Sequence, residues 1–165
     1  MLKLTEKGFT LVEVLVSLAI LSAIGTVMSA ATITIMQTSS QNAEWNVNLR
    51  QVQNAGHWIS QDAIMAQEIA TNKPGVFLSV VWSDWSGNSF NVDYVLEGNT
   101  LKRQLNDNPA FLIADYIVPE DTTCVWVEEE NTLTVTIKAS LHGDEGKHWV
   151  ERVYEISPRS VAKGT

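Results

Sequence analysis

The chain has few of the residues that interrupt helices or cross-link chains. Cys124 is the only cysteine among 165 residues, so no disulfide can form within the chain and stability must come from packing. No proline precedes Pro74, so none interrupts a helix before that point. Basic residues are also scarce: 11 Lys and Arg stand against 19 Asp and Glu, giving a net charge of -8. Because phosphate contacts need clustered basic side chains, nucleic acid is not an expected partner.

Charge is almost absent from a long apolar run near the start of the chain. From Phe9 to Met36 the only charged side chain is Glu13. The run is long enough to cross the roughly 30 Å hydrocarbon core of a membrane as a helix. An acid inside such a helix costs on the order of 3 kcal/mol near the middle and less near the end, so Glu13 needs a partner. A secretory signal peptide cleaved near Gly25 and a plain single-pass anchor are two interpretations, and neither gives Glu13 a role.

A third interpretation rests on the stretch KGFTLVEVLVSLAILSAIG. This stretch resembles the amino-terminal signature of type IV pilins and of the pseudopilins of type II secretion. The resemblance implies that residues 1–8 are a leader peptide and that a prepilin peptidase cuts between Gly8 and Phe9 on the cytoplasmic side. It also implies N-methylation of Phe9, and it makes Glu13 the fifth residue of the mature chain.

The cleavage implied by this pattern would give Glu13 a charged partner. Cleavage after Gly8 creates an amine at Phe9 that stays protonated near neutral pH. A lone cation in the apolar centre of a helical filament is as costly as a lone anion, whereas the two together form a charge-assisted bond. We therefore expect Glu13 to meet the Phe9 amine of a neighbouring subunit. Within its own helix, the same carboxylate favours the positive end of the helix dipole.

Helical spacing continues beyond the apolar run. Apolar or small residues recur at steps of three and four as far as Ala70, and NKPG at 72–75 is a stop signal. The spacing predicts a continuous helix from Phe9 to about Ala70. Its first part, 9–36, is the predicted transmembrane and assembly helix, and 37–72 is the predicted amphipathic continuation into a globular domain.

After Pro74 the period of the pattern changes from 3.6 to 2. Seven stretches separated by turn residues read as strands: VFLSVVW, SFNVDYVL, TLKRQL, FLIADYIV, TCVWVE, TLTVTIKA and HWVERVYEI. Alternating apolar residues and threonines between 132 and 137 indicate a half-buried antiparallel sheet. The predicted fold is therefore α+β and pilin-like, with a long amino-terminal helix packed on an antiparallel β domain that spans 73–165.

Other, less specific stretches of the chain resemble particular subfamilies of pilins and pseudopilins. DWSGNSFNVDYVLEGNTLKRQL, the helix end WISQDAIMAQ with Asp62, and the terminal VYEISPR are similar to J-type minor pseudopilins and W-type minor pilins. The absence of a paired-cysteine loop also favours a minor subunit over a major one. Retention of Glu13 argues against the K-type tip subunit, which typically lacks that glutamate.

No stretch of the chain predicts a resident metal or cofactor. His142 and His148 enclose Asp144 and Glu145, but their spacing matches no standard zinc motif and a hairpin turn explains them better. Four further polar residues loosely resemble a calcium loop without meeting the EF-hand pattern: Asp84, Ser86, Asn88 and Asp93. Calcium binding by this loop is a hypothesis that a titration can test.

The sequence also lacks a catalytic constellation. His57 has no serine or cysteine nucleophile in a recognisable motif near it, so no enzymatic activity is predicted. Cys124 lies in the apolar stretch CVWV, which favours a buried and inert thiol. Trp82 and Trp85 flank a predicted turn and are the tryptophans most expected to be exposed.

The resemblance predicts a minor pilin or pseudopilin that starts or caps a filament. Its expected partners are other pilin subunits, the prepilin peptidase and methyltransferase, the inner-membrane assembly platform and, before assembly, membrane lipid. Its expected location is the cytoplasmic membrane, crossed once with the carboxyl-terminal domain outside the cytoplasm, and then a pilus or pseudopilus. The alternative is a permanently anchored, single-pass extracytoplasmic protein that binds calcium or a surface ligand.

Overall fold

A computed structural model describes residues 10–106, 108–142 and 148–159 of the chain. Within these residues the elements in chain order are one long helix, α1, and eight strands, β1 to β8, with a 3₁₀ turn at Pro119–Asp121. Contacts divide the chain into two units, 1–42 and 43–165. The first unit contains the amino-terminal part of α1, and the second contains the rest of α1 and all the described strands.

Helix α1 spans Leu11–Ile64 without a break. Its buried residues all belong to the second unit and recur at steps of three and four, as expected for a helix with one apolar face: Asn48, Val52, Ala55, Gly56, Ile59, Asp62 and Ala63. This face packs against the strands, and helical period alone accounts for its position.

Five strands form an antiparallel sheet in the order β1-β2-β3-β4-β5. Their bounds are Glu68–Ala70, Leu78–Ser83, Ser89–Glu97, Thr100–Leu105 and Phe111–Ala114. The hairpin between β3 and β4 turns at Gly98, whose φ of 56° suits a residue without a side chain. This turn sets the register in which Tyr94 pairs with Arg103.

The other three strands form an antiparallel sheet in the order β6-β7-β8. Their bounds are Thr123–Val127, Thr132–Ala139 and Val150–Ile156. An isolated bridge between Ile117 and Ala139 links the segment after β5 to the end of β7. One hydrophobic core therefore serves both sheets, and it includes Val52 and Ile59 of α1 together with strand residues such as Leu78 and Val135.

The structure confirms the predicted α+β fold, with a long helix on antiparallel sheets. The seven predicted strands are present as β2 to β8. One of them is shorter than expected: β5 ends at Ala114, because Tyr116 has a left-handed φ of 59° that interrupts an extended chain.

Helix α1 ends earlier than the spacing indicates, at Ile64 rather than near Ala70. The amides of Met65 and Ala66 bond to carbonyls three residues back, which tightens the last turn. The amide of Gln67 then donates to the carbonyl of Val81 at 2.8 Å, and the chain continues as β1. The segment after Ile64 therefore pairs as a strand, although its apolar spacing is also compatible with a helix.

Candidate functional site

The amino terminus of α1 carries a capping box formed by Thr10 and Glu13. The Thr10 amide donates to Glu13 Oε2 at 3.2 Å, and the Glu13 amide donates to Thr10 Oγ1 at 3.3 Å. The Thr10 hydroxyl also donates to the Glu13 carboxylate at 3.3 Å. Thr-x-x-Glu is the pattern that satisfies two free amides at a helix start. Within one chain, therefore, Glu13 already has a partner that sequence reasoning missed, although the motif was visible.

The apolar part of α1 presents its side chains outward. Every residue from 10 to 43 is exposed, including large side chains such as Leu11 and Val27. Helix α1 contains a segment with a mean hydropathy of 2.2, long and apolar enough to cross a membrane. An exposed surface of this kind is stable in lipid or against other helices, not in water.

The polar side chains of this segment are satisfied by the helix itself. Hydroxyls along it donate to backbone carbonyls three or four residues earlier: Ser17, Ser22, Thr26, Ser29, Thr32 and Thr34. In hydrocarbon an unsatisfied hydroxyl is costly, so these bonds remove most of the penalty. The segment is thus compatible with an apolar environment despite its serines and threonines.

The opposite end of α1 is fastened to the five-stranded sheet by Asp62. Arg103 donates to the two oxygens of this carboxylate, from Nε to Oδ2 at 2.7 Å and from Nη2 to Oδ1 at 2.9 Å. The Tyr94 hydroxyl donates to Asp62 Oδ2 as well. Asp62 is 3 % exposed and Arg103 8 % exposed. This bidentate pair is therefore a buried ion pair with a third hydrogen bond.

Aromatic rings enclose the charged end of Arg103. Its Cζ lies 5.1 Å from the ring centroid of Trp58 and 5.8 Å from that of Phe111. The hydrogen bond to Asp62 raises the pKa of Arg103 above its ordinary value. Burial and the neighbouring Asp62 carboxylate raise the pKa of Tyr94, so the phenol stays protonated and keeps donating.

A second contact fastens α1 to the three-stranded sheet. The Tyr154 ring lies directly on Gly56, where an added Cβ would stand 2.0 Å from Tyr154 Cζ. The Tyr154 hydroxyl donates to the carbonyl of Val52 at 3.1 Å. Glycine is required at this position by close approach, because no side chain fits between helix and ring.

The residues considered for calcium have separate partners. Asp84 accepts bonds from the Ser86 amide and from the amide and side chain of Asn88, all within its own turn. Asp93 bonds to Lys73 and Ser79 instead. Among the described residues, no group of three or more His, Cys, Asp or Glu side chains is placed to hold a metal ion.

The other singled-out residues have ordinary environments. His142 lies 3.6 Å from the Glu44 carboxylate, while Asp144 and Glu145 lie outside the described residues. Burial raises the pKa of the Cys124 thiol to about 12, which makes it a poor nucleophile. Trp85 is fully exposed as expected, whereas Trp82 is half-buried and stacks on Phe90 at 4.3 Å.

Gly8 and Phe9, the predicted cleavage and methylation residues, lie outside the described residues. The same end of the chain matches one known family model. Residues 3–31 match the family model of the prokaryotic N-terminal methylation motif. No curated protein and no solved structure matches the chain.

The matched motif is a type IV pilin-type prepilin signal. Together with the exposed apolar helix it supports a precursor like those of type IV pilins and pseudopilins, consistent with membrane insertion. It suggests a structural subunit rather than an enzyme, and it implies processing by a prepilin peptidase and assembly with other pilins.

Proposed function

We propose that the chain is a minor pilin or pseudopilin subunit that is cut between Gly8 and Phe9 and then methylated at Phe9. The mature chain enters a filament through the helix that begins there, and it starts or caps that filament. The observation that carries this proposal is the methylation motif at 3–31, which overlaps the start of an exposed apolar helix with an acid in its first turn. The filament is a type IV pilus, a type II secretion pseudopilus or a DNA-uptake pilus.

Glu13 is the proposed assembly residue. In the single chain its carboxylate lies at the exposed start of α1, and among the described residues it bonds to Thr10 alone. A cap of this kind stabilises a helix by about 1 kcal/mol, which is a weak hold on a carboxylate. The methylated amine of Phe9 on a neighbouring subunit is a charged donor, and a charge-assisted bond in an apolar filament is stronger than the cap. Assembly therefore exchanges one partner of Glu13 for another.

The rest of the span supports membrane residence before assembly. Its hydroxyls bond to the carbonyls of their own helix, and its large side chains face outward between 10 and 43. Such a surface packs equally well against lipid and against the helices of other subunits. On this proposal the carboxyl-terminal domain lies outside the cytoplasm, and the partners are pilin subunits and the assembly platform.

The first experiment is intact mass and amino-terminal sequencing of the protein recovered from its native membrane. A chain beginning at N-methylated Phe9 is the expected result. A chain that still begins at Met1 contradicts the proposal and favours the permanently anchored binding protein. A chain beginning after Gly25 or Ala30 identifies an ordinary signal peptide. Gly8→Ala is expected to leave the precursor uncut, because the peptidase site needs close backbone approach.

Two matched variants separate the charge of Glu13 from its capping role. Glu13→Gln keeps a side chain that completes a capping box but removes the negative charge. Thr10→Ala removes the cap and keeps the carboxylate. If Glu13 pairs with an amine, Glu13→Gln is processed but fails to enter filaments, whereas Thr10→Ala enters them. The opposite pattern assigns Glu13 to helix capping alone.

A further inference from the structure

In the part of the chain that the structure describes, the two sheets have four edge strands, and three of these are protected from pairing with another chain. β1 is only 3 residues long. At the carboxyl end of β5, side chains of α1 occupy backbone groups: Asn54 donates to the Ile113 carbonyl, and Gln51 accepts from the amide of Asp115, just after the strand. β8 has the sequence VERVYEI, whose charges discourage pairing with another chain.

β6 has none of these protections. Its sequence, TCVWV, contains no charge, no proline and no glycine. It pairs with β7 on one side. Within residues 10–106, 108–142 and 148–159, no backbone hydrogen bond reaches its outer edge. Val125 is 51 % exposed at its centre. An edge strand of this composition is a template for an added strand.

There is space beside this edge. At its carboxyl end Trp126 lines an open cleft with the segment that contains β1, namely Ile69, Ala70, Thr71, Asn72 and Lys73. β1 is itself the end strand of its sheet. The cleft is therefore bordered by β6 and by the short end strand β1, and an extended peptide placed there can bond to the backbone of β6.

Acidic residues bracket β6 and indicate which peptide fits. Glu120 and Asp121 precede it, and Glu128, Glu129 and Glu130 follow it. Asp121 is ion-paired with Lys138, but Glu120 and the three following glutamates are exposed. A strand with basic residues at both ends would meet opposite charge at both ends of β6.

The acidic residues on both sides of β6, hereafter the acidic bracket, disfavour pairing of β6 with the β6 strand of a second copy of this chain. If two β6 strands paired antiparallel about Val125, Glu129 of one chain would stand opposite Asp121 of the other. Glu130 would then stand opposite Glu120. Like charges directly opposite one another destabilise strand pairing, whereas the backbone itself offers no obstacle. Parallel pairing also places like charges together.

We infer that β6 is a docking edge for an extended strand of another protein whose ends are basic, bound by β-strand addition. Backbone hydrogen bonds would supply the affinity and the acidic bracket the selectivity. This inference concerns the globular domain alone and does not depend on cleavage at Gly8 or on the role of Glu13.

The test uses the full chain in detergent micelles and two synthetic peptides, Lys-Lys-Thr-Val-Thr-Val-Thr-Lys-Lys and its counterpart with Glu at both ends. Amide hydrogen exchange is followed over residues 123–127. We expect the basic-ended peptide to slow exchange there and the acidic-ended peptide to have no effect. Glu129→Lys with Glu130→Lys is expected to weaken binding about three- to ten-fold. The matched control, Glu151→Lys with Glu155→Lys on β8, is expected to leave binding unchanged.

Three results would overturn the inference. The first is exchange in β6 that is already as slow as in β7 without peptide, which means that the edge is covered. The second is peptide binding that both charge-reversal variants weaken equally. The third is disulfide formation between two copies of a Val125→Cys, Cys124→Ser variant with the native bracket, which identifies a second copy as the occupant. Adding Glu129→Lys and Glu130→Lys to that variant is expected to permit the disulfide, because a basic side chain at position 129 would then face Asp121.

Discussion

Removing either partner of the buried pair Asp62 and Arg103 should destabilise the globular domain severely. Asp62→Ala leaves a guanidinium that is 8 % exposed without its carboxylate, and Arg103→Ala leaves Asp62 with Tyr94 as its remaining partner. Breaking a buried ion pair on one side costs about 3–5 kcal/mol. That is a large part of the roughly 5–15 kcal/mol by which domains are stable. Tyr94→Phe, which removes one bond to a charged acceptor, should cost about 1.5–3 kcal/mol.

The assay is urea unfolding of the full chain in detergent, followed by tryptophan fluorescence. All six tryptophans lie at or after Trp45, so the signal reports on the globular part. Asp62→Ala combined with Arg103→Ala should lose much less than the sum of the two single variants, with a coupling of about 2–3 kcal/mol. Lys102→Ala, which breaks the exposed pair with Glu97, is the control and should cost less than about 1 kcal/mol. Single losses near those of the control, or additivity within about 0.5 kcal/mol, would refute the reasoning.

Three further predictions concern the same domain. Gly56→Ala should lower the unfolding free energy by about 1–3 kcal/mol, although alanine favours a helix by about 1 kcal/mol, because Tyr154 must move. Gly25→Ala, where nothing lies within 4 Å of the added Cβ, should leave that fluorescence transition unchanged. Asp93 is partly buried, which raises its pKa, but hydrogen bonds from Lys73 and Ser79 lower it more, so the pKa is depressed overall. Its contribution to stability should be complete above the ordinary aspartate pKa of 3.8 and lost as pH falls through the lower folded-state pKa, and Asp93→Asn should flatten this part of the acid-unfolding curve. Millimolar calcium should leave the melting temperature unchanged, because the Asp84 carboxylate already accepts three bonds from its own turn.

Local signals in the sequence were sufficient to predict seven of the strands. Alternation and turn residues predict β2 to β8. The capping box was equally readable, since Thr10 and Glu13 have the required spacing. These features depend on residues close together in sequence, where periodicity and turn chemistry decide the outcome.

Features that depend on tertiary contacts could not be predicted from the sequence. Asp62 lies 41 residues before Arg103, and no local pattern says that the two meet. The end of α1 at Ile64 was also missed, because the apolar spacing continues beyond the point where the following chain begins to pair with β2. The requirement for Gly56 arises in the same way, from the ring of Tyr154 far along the chain. In each case the outcome depends on a partner that is distant in the sequence.

The two acidic residues near the ends of α1 differ in how firmly they are held, and the difference bears on their roles. Glu13 bonds at 3.2–3.3 Å to an exposed threonine, in a cap that stabilises a helix by about 1 kcal/mol. Asp62 is buried under two bonds from Arg103 and one from Tyr94, and separating such a pair costs several kcal/mol. A residue that must change partners needs the weaker hold, and a residue that fixes a helix to a sheet needs the stronger one. In the proposed assembly, therefore, Glu13 is the acid that is available to another subunit, and Asp62 is withheld from that role as long as the domain is folded.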